Sequence, residues 1–166
     1  MAVVNTKSKA VAGADTSPPN PDQMVNLKVG GGRVKESVGT VEAASGDSAT
    51  STYRLARVHS SVRISQLLLS CDAITAGVVD LGVYETAANG GAAVDSDVFG
   101  SGQSIAAALA GESVYGVDIA DIEKPLWEVL GKTKDPGRLY DIAATVTTAP
   151  TAAGTISLAV RFVDGN

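Results

Sequence analysis

Apolar and polar residues alternate most cleanly toward the C-terminal end of the chain, where Ile156, Leu158, Val160 and Phe162 interleave with Ser157, Ala159, Arg161 and Val163. A period of two sends successive side chains to opposite faces, so this segment reads as a β-strand with one buried face. The same period runs through Tyr140, Ile142, Ala144 and Val146, set against Leu139, Asp141, Ala143 and Thr145. Val79, Leu81 and Val83 alternate with Asp80, Gly82 and Tyr84 and predict another half-buried strand. From Val62 to Cys71, Val62, Ile64, Gln66 and Leu68 alternate with Arg63, Ser65, Leu67 and Leu69. The run Leu67-Leu68-Leu69 predicts a stretch covered on both faces. Upstream, Thr50 to Val58 reads as a strand with Tyr53, Leu55 and Arg57 on one face, and Val38 to Glu42 as the first strand.

Turn signals punctuate these strands at Gly46-Asp47, Asn89-Gly90-Gly91 and Asp135-Pro136-Gly137. Ala87 to Asp97 reads as a loop of small residues. Two short helices are expected. One runs over Ser101–Leu109 behind a serine cap, and the other over Ile122–Leu130, with Pro125 in its first turn, Trp127 and Leu130 on one face and Gly131 as its stop. Many strands, long loops and little helix predict an all-β protein: a jelly-roll-like antiparallel β-sandwich with one or two short helices and an extended N-terminal arm.

The arm, extended or flexible, is expected over residues 1–37, with a disordered tail as the alternative reading, and the sandwich over 38–166. Ser17-Pro18-Pro19-Asn20-Pro21 blocks helix and central strand alike, and Gly30-Gly31-Gly32 adds a hinge. Val25, Leu27 and Val29 alternate, which suits a strand added to a neighbour's sheet edge. Together with Arg33 and Lys35 they form the expected partner-binding set of the arm. Charge sharpens this division. Residues 1–37 hold 5 basic and 3 acidic residues, and residues 38–166 hold 8 and 15. A weakly basic arm on an acidic body fits docking on an acidic protein, and disfavours nucleic acid and anionic membranes as partners. The N-terminal segment lacks the apolar core of a signal peptide, and no stretch nears the ~20 apolar residues of a membrane span.

Candidate chemistry is sparse. His59 is the sole histidine and no nucleophile elbow surrounds it; the sole cysteine, Cys71, ends an apolar strand and reads as a buried thiol. One cysteine allows no intrachain disulfide and no Cys₄ or Cys₂His₂ zinc site. Gly131-Lys132-Thr133 ends like a phosphate loop, yet Leu126 replaces the leading Gly; Gly100-Ser101-Gly102 opens like a dinucleotide loop, yet Ile105 replaces the third Gly. Asp95-Ser96-Asp97 and Asp118, Asp121 and Glu123 lack the Gly and distal Glu of a calcium loop. Arg54, Arg57, Arg63 and Arg161 lie on strands and read as ion-pair partners. No catalytic residue, cofactor or metal ligand is predicted, and the chain reads as no enzyme.

Gly46 to Asp97 resembles a pattern found in small head proteins of tailed bacteriophages. Its elements are the Gly46-Asp47 turn, Tyr53-Arg54-Leu55-Ala56-Arg57-Val58, Val62 through Leu69, Asp72, Asp80-Leu81-Gly82-Val83-Tyr84-Glu85 and Val94-Asp95-Ser96-Asp97. The resemblance implies a capsid decoration, or cement, protein with a jelly-roll-like sandwich. Its partners would be the phage major capsid protein and itself, as a homodimer or homotrimer bridging capsomers. Its location would be the outer capsid surface of the virion, after synthesis in the host cytoplasm. Another phage head or tail component, or a carbohydrate-binding sandwich module, shares the strand-rich composition; the second needs exposed aromatic platforms, and Trp127 is the only tryptophan.

Overall fold

In the computed structural model, residues 32–164 are described, together with 6–8 and 11–12. Among the described residues there are eight strands: β1 Arg33–Ala43, β2 Thr52–His59, β3 Arg63–Cys71, β4 Val78–Glu85, β5 Ala93–Ser104, β6 Leu109–Ser113, β7 Leu139–Thr148 and β8 Gly154–Asp164. They form two four-stranded sheets, ordered β1-β8-β3-β6 and β2-β7-β4-β5. Every pairing is antiparallel. The first strand pairs with the eighth, the second with the seventh, the third with the sixth and the fourth with the fifth. A long hairpin rolled over itself produces this nesting. It is the strand order of a jelly roll.

The core lies between the sheets. Ile156, Leu158 and Val160 of β8 and Tyr140, Ile142, Ala144 and Val146 of β7 are buried as their alternation predicts. Two other strands depart from simple alternation because bulges shift their pairing. In β3 the register against β8 slips between Ile64 and Gln66. Ile64 therefore points inward, and so do Leu67, Leu69 and Cys71, while Leu68 is half-buried on the outer side. In β2 the slip falls between Arg54 and Ala56, and Arg57 turns out to solvent beside Arg54 instead of inward with Tyr53 and Leu55.

Two glycines mark places where backbone meets backbone. A Cβ at Gly39 would stand 1.6 Å from the Leu55 carbonyl oxygen, where β1 crosses β2. At Gly82 a Cβ would lie 2.2 Å from the Ser96 carbonyl carbon, because β5 folds closely over β4.

The expected helix over Ser101–Leu109 is not formed. Ser101 to Ser104 belong to β5, and β6 starts at Leu109. Gly102 sits in the left-handed region at φ 65° with its N–H on Asp80 Oδ1, and Ile105 exchanges backbone bonds with Ile74 and Gly77. These bonds, and the poor helix propensity of glycine, favour the extended form. The expected loop over Ala87–Asp97 is likewise partly strand, since β5 begins at Ala93. The expected helix over Ile122–Leu130 shrinks to α1, Leu126–Val129, whose buried residue is Leu126. β1 begins at Arg33 rather than Val38, so residues 33–37 of the expected arm lie in the sheet.

Candidate interaction surface

The two sheets present different outer faces. On the sheet β2-β7-β4-β5, Asp141 is only 4% exposed and sits under two arginines. Arg57 grips it with Nε and Nη2 at 2.6 and 3.2 Å, and Arg54 donates from Nη1 at 3.1 Å. Burial alone would push the Asp141 carboxyl up, but these charged donors prevail and hold it below the usual range. Arg54 also bonds the Glu85 and Gly91 carbonyls and lies 5.1 Å from the Tyr84 ring centre, tying the loop after β4 onto the sheet. Tyr84 in turn shares a hydrogen bond with Thr145, and Arg138 pairs with Glu85. A shallow depression of about 410 Å³ opens beside Ser37, Arg54 and Arg57. Its arginines are already engaged by Asp141.

On the sheet β1-β8-β3-β6 the outer face stays open. β1 is an edge strand, and its even-numbered residues face outward, with Val34 65% and Val38 60% exposed. Val38 stands beside Ala159 of β8, which stands beside Leu68 of β3, making an apolar row across the sheet. Polar rows flank it. Arg161 bonds Glu36 at 2.7 Å and Gln66 at 3.0 Å on one side, and Thr40 bonds Ser157 on the other. Of the residues expected to bind a partner, Arg33 and Lys35 lie on β1, where Lys35 pairs with Asp164. Val25, Leu27 and Val29 lie outside the described residues.

At the other edge of this sheet, the chain after β6 carries a loop with a protruding isoleucine, Ile119, 87% exposed. Asp118 bonds the Ala120 N–H at 2.8 Å, the Asp121 N–H bonds the Asp118 carbonyl, and Lys124 pairs with Asp121. These bonds fix the loop around its tip. Burial pushes the Tyr115 phenol up, and the charges of Arg63 and Asp121 both reach it, placing the loop next to the start of β3. Ile119, Val34 and Val38 were not among the residues expected from sequence. A lone isoleucine between Asp118 and Asp121 is the signal available for Ile119; edge position, which governs the valines, leaves no local mark.

The chemistry-bearing residues are otherwise placed as structural groups. Ser60 is fully buried and donates to Asp135, which also accepts from Gly137, while His59 Nδ1 lies 2.8 Å from Ser61 Oγ. The Asp135 carboxylate thus serves Ser60 and a turn, and although burial pushes it up, those hydrogen bonds and the nearby His59 charge hold it below the usual range, while His59 Nδ1 is engaged by Ser61. Burial pushes the Cys71 thiol up, away from thiolate chemistry. The Gly100 segment lies in β5, and Gly131-Lys132-Thr133 follows the end of α1 instead of opening a helix, as a phosphate loop must. A hydrogen bond shared with Asp95 raises the Asp97 carboxyl, and no group of three or more His, Cys, Asp or Glu among the described residues is arranged to hold a metal.

No protein-family model and no curated protein matches the chain. Among solved structures it is similar to a chain of the capsid of Ralstonia phage GP4, with a TM-score of 0.54 and 14% identity over 81% of this chain and 86% of that one. The fold is one that a phage capsid uses. A chain of the cyanophage Pam1 capsid asymmetric unit is similar at 14% identity over 80% and 85% of the two chains, with a TM-score of 0.49. A chain of the acid-stable capsid of Helicobacter pylori bacteriophage KHP30 is similar at 15% identity over 81% and 95%, with a TM-score of 0.42.

Proposed function

We propose that the protein is a structural component of a phage virion, seated on the outer capsid surface, where it decorates and stabilises the shell by bridging neighbouring capsomers of the major capsid protein. The observation that carries this reading is the jelly roll it has in common with a chain of the GP4 phage capsid. The sandwich supplies a rigid body, and the exposed apolar residues at both edges of one sheet supply contacts. An acidic body, net −7 over residues 38–166, suits the outside of a particle better than the side facing packaged DNA.

In this reading the protein works by position and performs no chemical step. It self-associates as a homodimer or homotrimer, and each copy adds a weak contact. Many symmetric copies convert weak contacts into avidity. Residues Val25, Leu27 and Val29 reach across a capsomer seam, and Arg33 and Lys35 at the start of β1 adjoin it. Co-sedimentation with undecorated phage capsids tests the reading. Saturable binding at a copy number locked to the capsid lattice, weakened by deletion of residues 1–32, is the expected result. Absence of binding, with particles of unchanged stability, would overturn it and point to another head or tail component or to glycan binding.

A further inference from the structure

We infer that the depression between the β1 and β2 edges is a docking site for an acidic segment of a partner protein, with a Glu or Asp carboxylate of that segment seated on Arg57. This deepens the proposed function, in which the capsid supplies the segment, and takes its setting from that reading.

The site lies where two edge strands run side by side. β1 bounds one sheet and β2 the other. They approach closely at Gly39 and the Leu55 carbonyl, and beside that crossing opens the depression of about 410 Å³, lined by Ser37, by β2 from Arg54 to Arg57 and by Ala87. As an edge strand, β2 turns alternate backbone N–H and C=O groups away from β7, and an extended segment can follow them.

Charge names the occupant. Arg54 and Arg57 share the single carboxylate of Asp141, so these three groups carry a net +1. Arg57 spends Nε and Nη2 on Asp141, its side chain is 54% exposed, and its Nη1 makes no bond among the described residues. A guanidinium carries donors on all of its nitrogens, so Arg57 can take a second carboxylate on its solvent side. On β1, alternation puts Arg33 and Lys35 on the same face as Ser37, while Glu36 lies on the other face with Arg161. Four bases (Arg33, Lys35, Arg54 and Arg57) thus gather against two acids, Asp141 and the Asp164 that pairs with Lys35. The result is a net +2 island on a body of net −7 over residues 38–166. A phosphate polymer fits less well, since its many charges would also lie against the acidic body, whereas one or two carboxylates need only the depression.

Titration of the full chain with a Ser-Glu-Ser-Glu-Ser peptide, read by nitrogen–proton correlation signals of the backbone and the arginine side chains, tests this without capsids. Saturable shifts are expected at Ser37, Arg57 and Ala87, and none with the Ser-Gln-Ser-Gln-Ser peptide. Arg57→Gln should weaken binding at least about tenfold. That variant also removes a partner of buried Asp141, so Ser37→Asp is the second test. It sets a competing carboxylate in the depression, leaves both arginines in place and should weaken binding as much. Arg161→Gln removes equal charge from the outer face of the other sheet and should bind like the wild type. Absence of saturation, wild-type binding by Ser37→Asp, or equal weakening by Arg161→Gln would overturn the inference. So would inorganic phosphate competing at the same concentration as the peptide, which marks a general anion site. An Arg57→Gln chain that coats capsids like the wild type would overturn it too, and leave the capsid reading standing. A wild type that binds the peptide but no capsid would keep this site and lose that reading.

Discussion

The outer face of one sheet is closed by its own side chains, and that of the other is left open. Over β2-β7-β4-β5, Arg54 and Arg57 cap the buried Asp141, and the aliphatic stem of an arginine can cover sheet surface while its head bonds outward. Ala143, in the middle of that face and opposite Arg54 in the register, is fully buried. Over β1-β8-β3-β6, Val34 and Val38 meet solvent at the edge, opposite Val163 and Ala159 of β8. On the first face the central acid and its neighbours are covered within one chain, and on the second the two β1 valines stay exposed.

Substitutions can break this contrast, and the largest effect is expected on the closed face. Gly82→Ala would drive a methyl into the Ser96 backbone, where nothing flexible can yield. Urea unfolding should report a loss of at least about 3 kcal/mol. Asp141→Asn should follow, at about 2 kcal/mol near neutral pH, because two guanidinium groups lose their charged acceptor. Its pH dependence is specific. The folded Asp141 carboxyl is depressed, so its contribution is complete above the ordinary carboxylate value of about 3.9 and is lost as pH falls through the folded value. The wild type should therefore lose stability in acid over a window that the Asn variant lacks, as thermal midpoints measured down the pH scale would record.

On the open face the effects on folding should be small. Leu68→Ala is expected to cost about 1 kcal/mol, against about 2–5 kcal/mol for Leu67→Ala next door. Equal costs in urea unfolding would contradict the bulge that separates the two leucines. Val38→Ser should leave stability within about 0.5 kcal/mol and still weaken self-association, read by sedimentation. A large loss of stability there would mean that the face is closed within the chain after all.

The strands whose side chains alternate without interruption were legible from the sequence. β4, β7 and β8 fall close to where their apolar periods place them, and the nested pairing realises the jelly roll expected from their number and spacing. Bulges were not legible, since the slips at Leu55 and Ser65 change which face a residue occupies without changing the local pattern. β5 was missed because aspartates and glycines fill its positions, and its pairing to β4 rather than any propensity of its own makes it a strand. For the surface, Arg33 and Lys35 were expected at a partner contact and lie on β1. The arginine pair on Asp141 was anticipated only as generic ion pairing, because the acid and its two bases are far apart in sequence.

The nested pairing also sets the order in which the chain can gain its structure. Only β4 and β5 are neighbours in sequence that pair directly; β1 finds its sheet partner solely in β8, more than a hundred residues later. On a ribosome β1 therefore emerges first and waits longest, its valines unsheltered until the last strand is made. Closing such distant pairs slows folding to the millisecond-to-second range typical of all-β domains. It also means that the edge strand β1 is among the last to be secured, although the other seven strands follow it in the chain.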